Sequence, residues 1–230
     1  MDTEAPLLVV GLGNPGSRYR DTRHNVGFLV VEELARRLGW TFTDGAGPWR
    51  EASASDGRGP FVLLEPLTYM NLSGQAVAAW ARGRGWPVAP PPLPEASWAP
   101  EAPVAPEADV EAATPSPWQP AWRPLVICDD LALPLGALRL RARGSSGGQK
   151  GLASVIDELG HDDFPRLRLG IAPPDLAIPA VEWPDFVLTP FAADERPFVT
   201  DLVSRAADAV DCCRELGLEA AASRFNRRQA

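Results

Sequence analysis

The sequence predicts one α/β domain, a three-layer α/β/α sandwich around a mixed, mostly parallel sheet. Three observations lead there. Apolar runs of strand length alternate with apolar residues at helical spacing. Polar clusters at 11–25, 129–130 and 143–150 each follow a predicted strand, where sheets of this kind hold ligands. With 230 residues, 45% of them apolar, the chain can bury one core with length to spare.

The elements follow in order. Leu7-Leu8-Val9-Val10 is a short apolar strand ending at Gly11. Val26, Leu29, Val30, Leu34 and Leu38 recur at helical spacing, and Gly39 stops that helix. Glu51–Ser55 and Phe61–Glu65 pair as a hairpin across Asp56-Gly57-Arg58-Gly59. Ser73 is placed to cap a helix running through Arg82. Leu125–Cys128 is an apolar strand leading into Asp129-Asp130, and Ala137–Arg141 alternates as a half-exposed strand. Gly151–Leu159 is a short helix, Leu167–Ile171 a strand, and Asp194–Leu216 a long amphipathic helix.

One stretch breaks the pattern. Residues 83–124 hold 12 Pro and two Gly, a composition of irregular or polyproline-like chain. The organisation is therefore a single domain over 1–230 interrupted by this Pro/Trp-rich insert. Trp86, Trp98, Trp118 and Trp122 fall within it. These rings either dock on the domain or bind a partner, and docking is the favoured reading because exposed Trp is disfavoured.

Composition narrows the function classes. No apolar run reaches the roughly 18 residues of a membrane span. The acidic start, Met1-Asp2-Thr3-Glu4, is not expected to be a secretory signal. Cys128, Cys212 and Cys213 make no disulfide framework, which suits a reducing cytoplasm. With only His24 and His161 beside three Cys, a Cys/His zinc site is nearly excluded; an all-carboxylate site stays open. A net charge of −8 argues against a general nucleic-acid coat but leaves room for a local basic patch.

Each polar cluster has rival readings. Gly11-Leu12-Gly13-Asn14-Pro15-Gly16 matches the dinucleotide fingerprint G-x-G-x-x-G, yet Asn14-Pro15-Gly16 reads as a turn and the helical pattern starts only at Val26. Gly144-Ser145-Ser146-Gly147-Gly148 matches the nucleophile-elbow pattern, which would need a histidine base for Ser146. The same region carries Arg139, Arg141, Arg143 and Lys150 with no acidic residue, and period-two spacing puts the arginines on one strand face. That face is either a phosphate-binding strip or a solvated edge strand blunted by charge. Asp129 at a strand end can pair with His24, fixing its tautomer for general-base work.

Taken together in this order, the residues resemble the bacterial peptidyl-tRNA hydrolase family. The match runs through Val10–Gly16, Tyr19, Thr22–Gly27, Pro66, Thr68–Gly74, Asp129, Leu131, Leu133-Pro134 and Gly136. It continues through Gly147-Gly148, Gly151-Leu152, Arg166–Ile171 and Phe186–Leu188. The resemblance implies hydrolysis of the ester joining a peptide, or an N-blocked aminoacyl group, to the 3′ ribose of tRNA. It implies His24 as catalytic base and Asp129 as its partner. Asn14, Tyr19, Tyr69 and Asn71 are implied to bind substrate, and Arg139, Arg141 and Arg168 to bind tRNA. It implies a cytoplasmic, monomeric enzyme without cofactor or metal, acting on the acceptor stem and 3′ end and on no membrane. The sequence departs from the family at Gln149-Lys150, where His-Asn is usual, so Lys150 takes the place of a substrate-binding Asn. It departs also at Cys128, often His, and at Ala132, commonly acidic. A non-catalytic RNA-binding relative of the same fold is the alternative, and a serine esterase using Ser146 a third reading.

Overall fold

A computed structural model describes residues 7–56, 59–86, 88, 123–173 and 179–226. Seven strands form one sheet: β1 (Leu7–Gly11), β2 (Thr43–Asp44), β3 (Trp49–Asp56), β4 (Gly59–Pro66), β5 (Leu125–Pro134), β6 (Leu138–Arg141) and β7 (Arg166–Ala172). Their order is β2-β3-β4-β1-β5-β7-β6. The four central strands β4, β1, β5 and β7 run parallel, while β2, β3 and β6 join at the edges by antiparallel pairing.

Alternation along the strands builds two cores. Val9, Leu63, Leu125, Ile127 and Leu167 face α1 (Val26–Leu38), α5 (Arg196–Leu216) and α6 (Leu218–Phe225). Leu8, Val10, Val62, Leu64 and Val126 face α2 (Ser73–Gly83) and α3 (Lys150–Leu159). The predicted three-layer sandwich is the observed architecture. From β1 the chain passes through α1 toward β4, and from β4 through α2 to β5 on the other side of β1. The strand order thus reverses between β1 and β5, whose carboxyl ends open a crevice there. α1 approaches that crevice closely because Gly11 and Gly27 lack side chains: a Cβ on either would clash with the backbone of the facing element.

Several boundaries differ from the sequence reading. The strand read as Leu125–Cys128 extends to Pro134, so Asp129 and Asp130 lie within β5 rather than after it. An irregularity between Asp130 and Pro134 lets pairing with β7 resume at Ala172. Ser73 is the first residue of α2 and does not cap it: its hydroxyl donates to the Met70 carbonyl. Arg143 lies beyond the end of β6, so only Arg139 and Arg141 share the exposed strand face. Two helices were not anticipated, α4 (Trp183–Val187) and α6, which follows α5 after Gly217. The insert reading over 83–124 falls mostly outside the described residues. Of its four tryptophans only Trp86 is described, packing edge-on against buried Trp80 at 5.2 Å. Among the described residues no helix is long and apolar enough to cross a membrane.

One ionisable group lies deep between the sheet and α1. Glu65 is fully buried on β4, opposite Arg50 of β3, whose Nε donates to Glu65 Oε2 at 2.6 Å. Burial pushes its carboxyl up to about 7 despite the attraction of Arg50. Arg50 is about a third exposed, so water screens its charge, and Glu65 Oε1 has no hydrogen-bond partner among the described residues.

Candidate active site

A cleft of about 500 Å3 lies off the carboxyl ends of β1 and β5, a size suited to a small ligand or chain end. His24 stands in a 3-10 turn, Arg23–Asn25, that leads from the glycine loop into α1. Its Nδ1 lies 2.9 Å from Asp129 Oδ1, and the two side chains are 12% and 3% exposed. A carboxylate can only accept, so Nδ1 carries a proton, and in the neutral ring the lone pair is then on Nε2. The hydrogen bond selects, for the neutral imidazole, the tautomer a general base needs.

The glycine loop ends in a lock built from two asparagines. Asn14 N–H donates to Asn25 Oδ1 at 2.8 Å, and Asn25 Nδ2 donates back to the Asn14 carbonyl at 2.9 Å. Asn14 Oδ1 accepts the Met70 N–H at 2.8 Å. With its oxygen occupied, the Asn14 side chain has its NH2 to offer a ligand. Because this loop turns before α1 begins, the helix N-terminus does not meet it as a dinucleotide site requires, which argues against that reading.

The other predicted substrate residues line the same cleft: Tyr19, Tyr69, Asn71 and Lys150. Tyr19 and Tyr69 meet edge to face with ring centres 6.5 Å apart. Asn71 and Lys150 are exposed. The opposite wall is apolar, from Trp183, Pro184, Val187 and Leu188. Val187 and Leu188 fall in the stretch Phe186–Leu188 that carries the family resemblance, but the sequence reading gives this wall no role in a site.

Three further residues organise the cleft. Gln149 caps α3, its Oε1 accepting the Leu152 N–H at 2.5 Å, while its Nε2 donates to Asp129 Oδ1 at 3.0 Å. Asp130 leaves β5 on the other face and pairs with Arg168 Nε at 2.9 Å. That contact has ion-pair distance without hydrogen-bond alignment. Burial pushes the Asp130 carboxyl up, against the Ala132 N–H and Arg168. Arg23 is nearly buried and holds the apolar wall. Its guanidinium donates to Thr189 Oγ1 at 2.7 Å, the Pro190 carbonyl at 2.5 Å and Glu195 Oε2 at 2.5 Å. It also lies against the rings of Phe186 and Phe191. These partners are up to 172 residues away in sequence, so local pattern carried no signal for them.

Of the predicted basic residues Arg168 lines the cleft, whereas Arg139 and Arg141 lie on the neighbouring edge strand β6 and are not part of its lining. Arg139 pairs in register with Arg168 across β6 and β7, and Arg141 with Arg166. Arg139 and Arg141 are exposed, and among the described residues neither is held by a hydrogen bond or ion pair. Arg166 differs: it is buried and binds the carbonyls of Gly144, Ser145, Asp162 and Phe164, tying down the loop before α3. Ser146 does not line the His24 cleft. It lines a separate cavity with His161, and no hydrogen bond joins the two. His161 Nδ1 instead accepts the Asp163 N–H. Among the described residues no group of three or more His, Cys, Asp and Glu is arranged to hold a metal ion.

Comparison with known proteins bears on this site. The family model described as "Peptidyl-tRNA hydrolase" matches residues 8–89 and 112–230, leaving 90–111 unmatched inside the Pro-rich segment. A peptidyl-tRNA hydrolase of Chloroflexus aggregans is 40% identical over 219 residues, 95% of this chain and 98% of that one. One of Chlorobium phaeobacteroides is 38% identical over 223 residues, 97% and 99% of the two chains. The crystal structure of peptidyl-tRNA hydrolase from Acinetobacter baumannii superposes with a TM-score of 0.74 at 27% identity, covering 100% of this chain and 98% of that one. The chain belongs to the peptidyl-tRNA hydrolase family.

Proposed function

We propose that the protein hydrolyses the ester between a peptide, or an N-blocked aminoacyl group, and the 3′ ribose of tRNA, freeing the tRNA. The observation that carries this reading is the His24–Asp129 hydrogen bond on the floor of a cleft lined by Asn14 and Asn71. His24 Nε2 takes a proton from water as its oxygen attacks the ester carbonyl. The Asn14 and Asn71 amides donate to the oxyanion that develops. As the intermediate collapses, the carbonyl carbon–O3′ bond breaks. The proton on His24 passes to O3′, leaving a peptide carboxylate and a free tRNA hydroxyl. Tyr19 and Tyr69 hold the ester end, and Lys150 takes the position of the family's substrate-binding Asn. Arg139, Arg141 and Arg168 contact phosphates of the acceptor stem and 3′ end. The enzyme acts as a cytoplasmic monomer, without metal or other cofactor.

Release of a labelled N-acetyl-aminoacyl group from tRNA, with EDTA present, tests the proposal. Wild type should turn over, and His24→Ala should bind tRNA but lose about 10²–10⁴ in rate. Equal turnover by His24→Ala would reject the base assignment. A folded, tRNA-binding wild type without turnover would favour a non-catalytic RNA-binding relative, and Lys150→Asn would be the reversion to examine.

A further inference from the structure

We propose that Gln149 is a positioning residue for the His24–Asp129 pair, an inference that rests on the hydrolase reading above. Gln149 has its polar atoms committed. Its Oε1 accepts a backbone N–H, which can only donate, so the orientation of the amide is fixed by chemistry. Its Nε2 must then face Asp129 Oδ1 at 3.0 Å, with Met70 Sδ 3.2 Å away. The residue is 9% exposed. Met70 sits close because Gly151 has no side chain to exclude it.

Asp129 Oδ1 is therefore shared by two donors, His24 Nδ1 at 2.9 Å and Gln149 Nε2. The first is the catalytic contact. The second ties the same oxygen to a side chain anchored at the N-terminus of α3, so the carboxylate cannot rotate away from the imidazole without also giving up that donor. A group that orients the orienter sharpens the geometry of the base. The family usually has His at this position. An amide donates at every pH, whereas an imidazole there would titrate beside the pair. The other ionisable groups around Asp129 are Asp130 and Cys128 on its own strand, Arg168 on β7, and Lys150, Tyr19 and Tyr69 on the cleft. None of these replaces the Gln149 donor.

Steady-state kinetics on three full-length variants tests this, with melting temperature and His24→Ala as controls. Gln149→Ser keeps a helix-capping hydroxyl but cannot reach Asp129, and Gln149→Met keeps the packing but neither hydrogen bond. Both should lower kcat roughly tenfold, the effect of one lost oriented hydrogen bond, with KM unchanged. Gln149→His should restore kcat and add a second ionisation to the acid limb of the kcat–pH profile. Gln149→Ser with wild-type kcat and an unmoved profile would overturn the proposal, leaving Gln149 a helix cap. A fully active His24→Ala would instead remove the hydrolase reading and this inference with it.

Discussion

Burial of Glu65 makes a quantitative prediction about stability. Its carboxyl sits at about 7 in the folded chain, against an ordinary value of 4.5. A raised acid binds its proton more tightly in the folded state. Between the two values the folded chain holds more protons than the unfolded one, so stability falls as pH rises. At about 1.4 kcal/mol per pH unit the full loss is about 3 kcal/mol, of which about 2.5 falls between pH 5 and 8. Glu65→Gln keeps an oxygen for the Arg50 guanidinium and removes the titration. Urea unfolding of both proteins at pH 5 and pH 8 should show wild type losing about 2.5 kcal/mol more than the variant over that interval. Asp130 and Asp211 are also pushed up by burial, but they act equally in both proteins and cancel in the difference. Parallel declines would refute the reasoning. A wild type that gains on the variant as pH rises would show that Arg50 outweighs burial.

Other predictions follow from the cleft walls. Arg23→Ala leaves Glu195, 17% exposed, without its cation, and should cost about 3 kcal/mol in urea unfolding. It should also raise KM, because the wall carrying Trp183 and Leu188 loses its anchor; a loss below about 1 kcal/mol would argue that the 183–195 segment holds itself in place. Arg139→Ala and Arg141→Ala should each lower tRNA affinity and reduce the log–log salt slope of binding by about 1, with kcat unchanged. Slopes equal to wild type would remove these residues from the phosphate path.

Local pattern carried most of the fold. The periodicity of Val26–Leu38 and the αL glycine at Gly39 mark α1 as observed, because an amphipathic helix and its stop signal are both short-range. The hairpin of β3 and β4 was legible for the same reason, through its Gly-rich turn. The length of β5 was not, since its continuation to Pro134 depends on pairing with β7, whose partner residues lie far along the chain. Helix α4 escaped notice because it spans only five residues, with a proline in its first turn. Within the site, the His24–Asp129 pair could be anticipated because the chain has few histidines and one carboxylate pair at a strand end. Gln149 and Arg23 could not be. Their roles lie in partners that only the folded chain brings near, 20 residues away for Gln149 and more than 160 for Arg23.

Asp129 and Asp130 are neighbours in sequence yet serve opposite faces of β5, one orienting His24 and the other engaging Arg168. The pleat assigns these duties by parity. A single-residue insertion or deletion upstream in β5 would therefore turn each carboxylate to the opposite face and take it from its present partner. The contact to His24 and the contact to Arg168 are set by the same two-residue frame. Neither can be retuned by sliding the strand, and each must be changed by substitution in place.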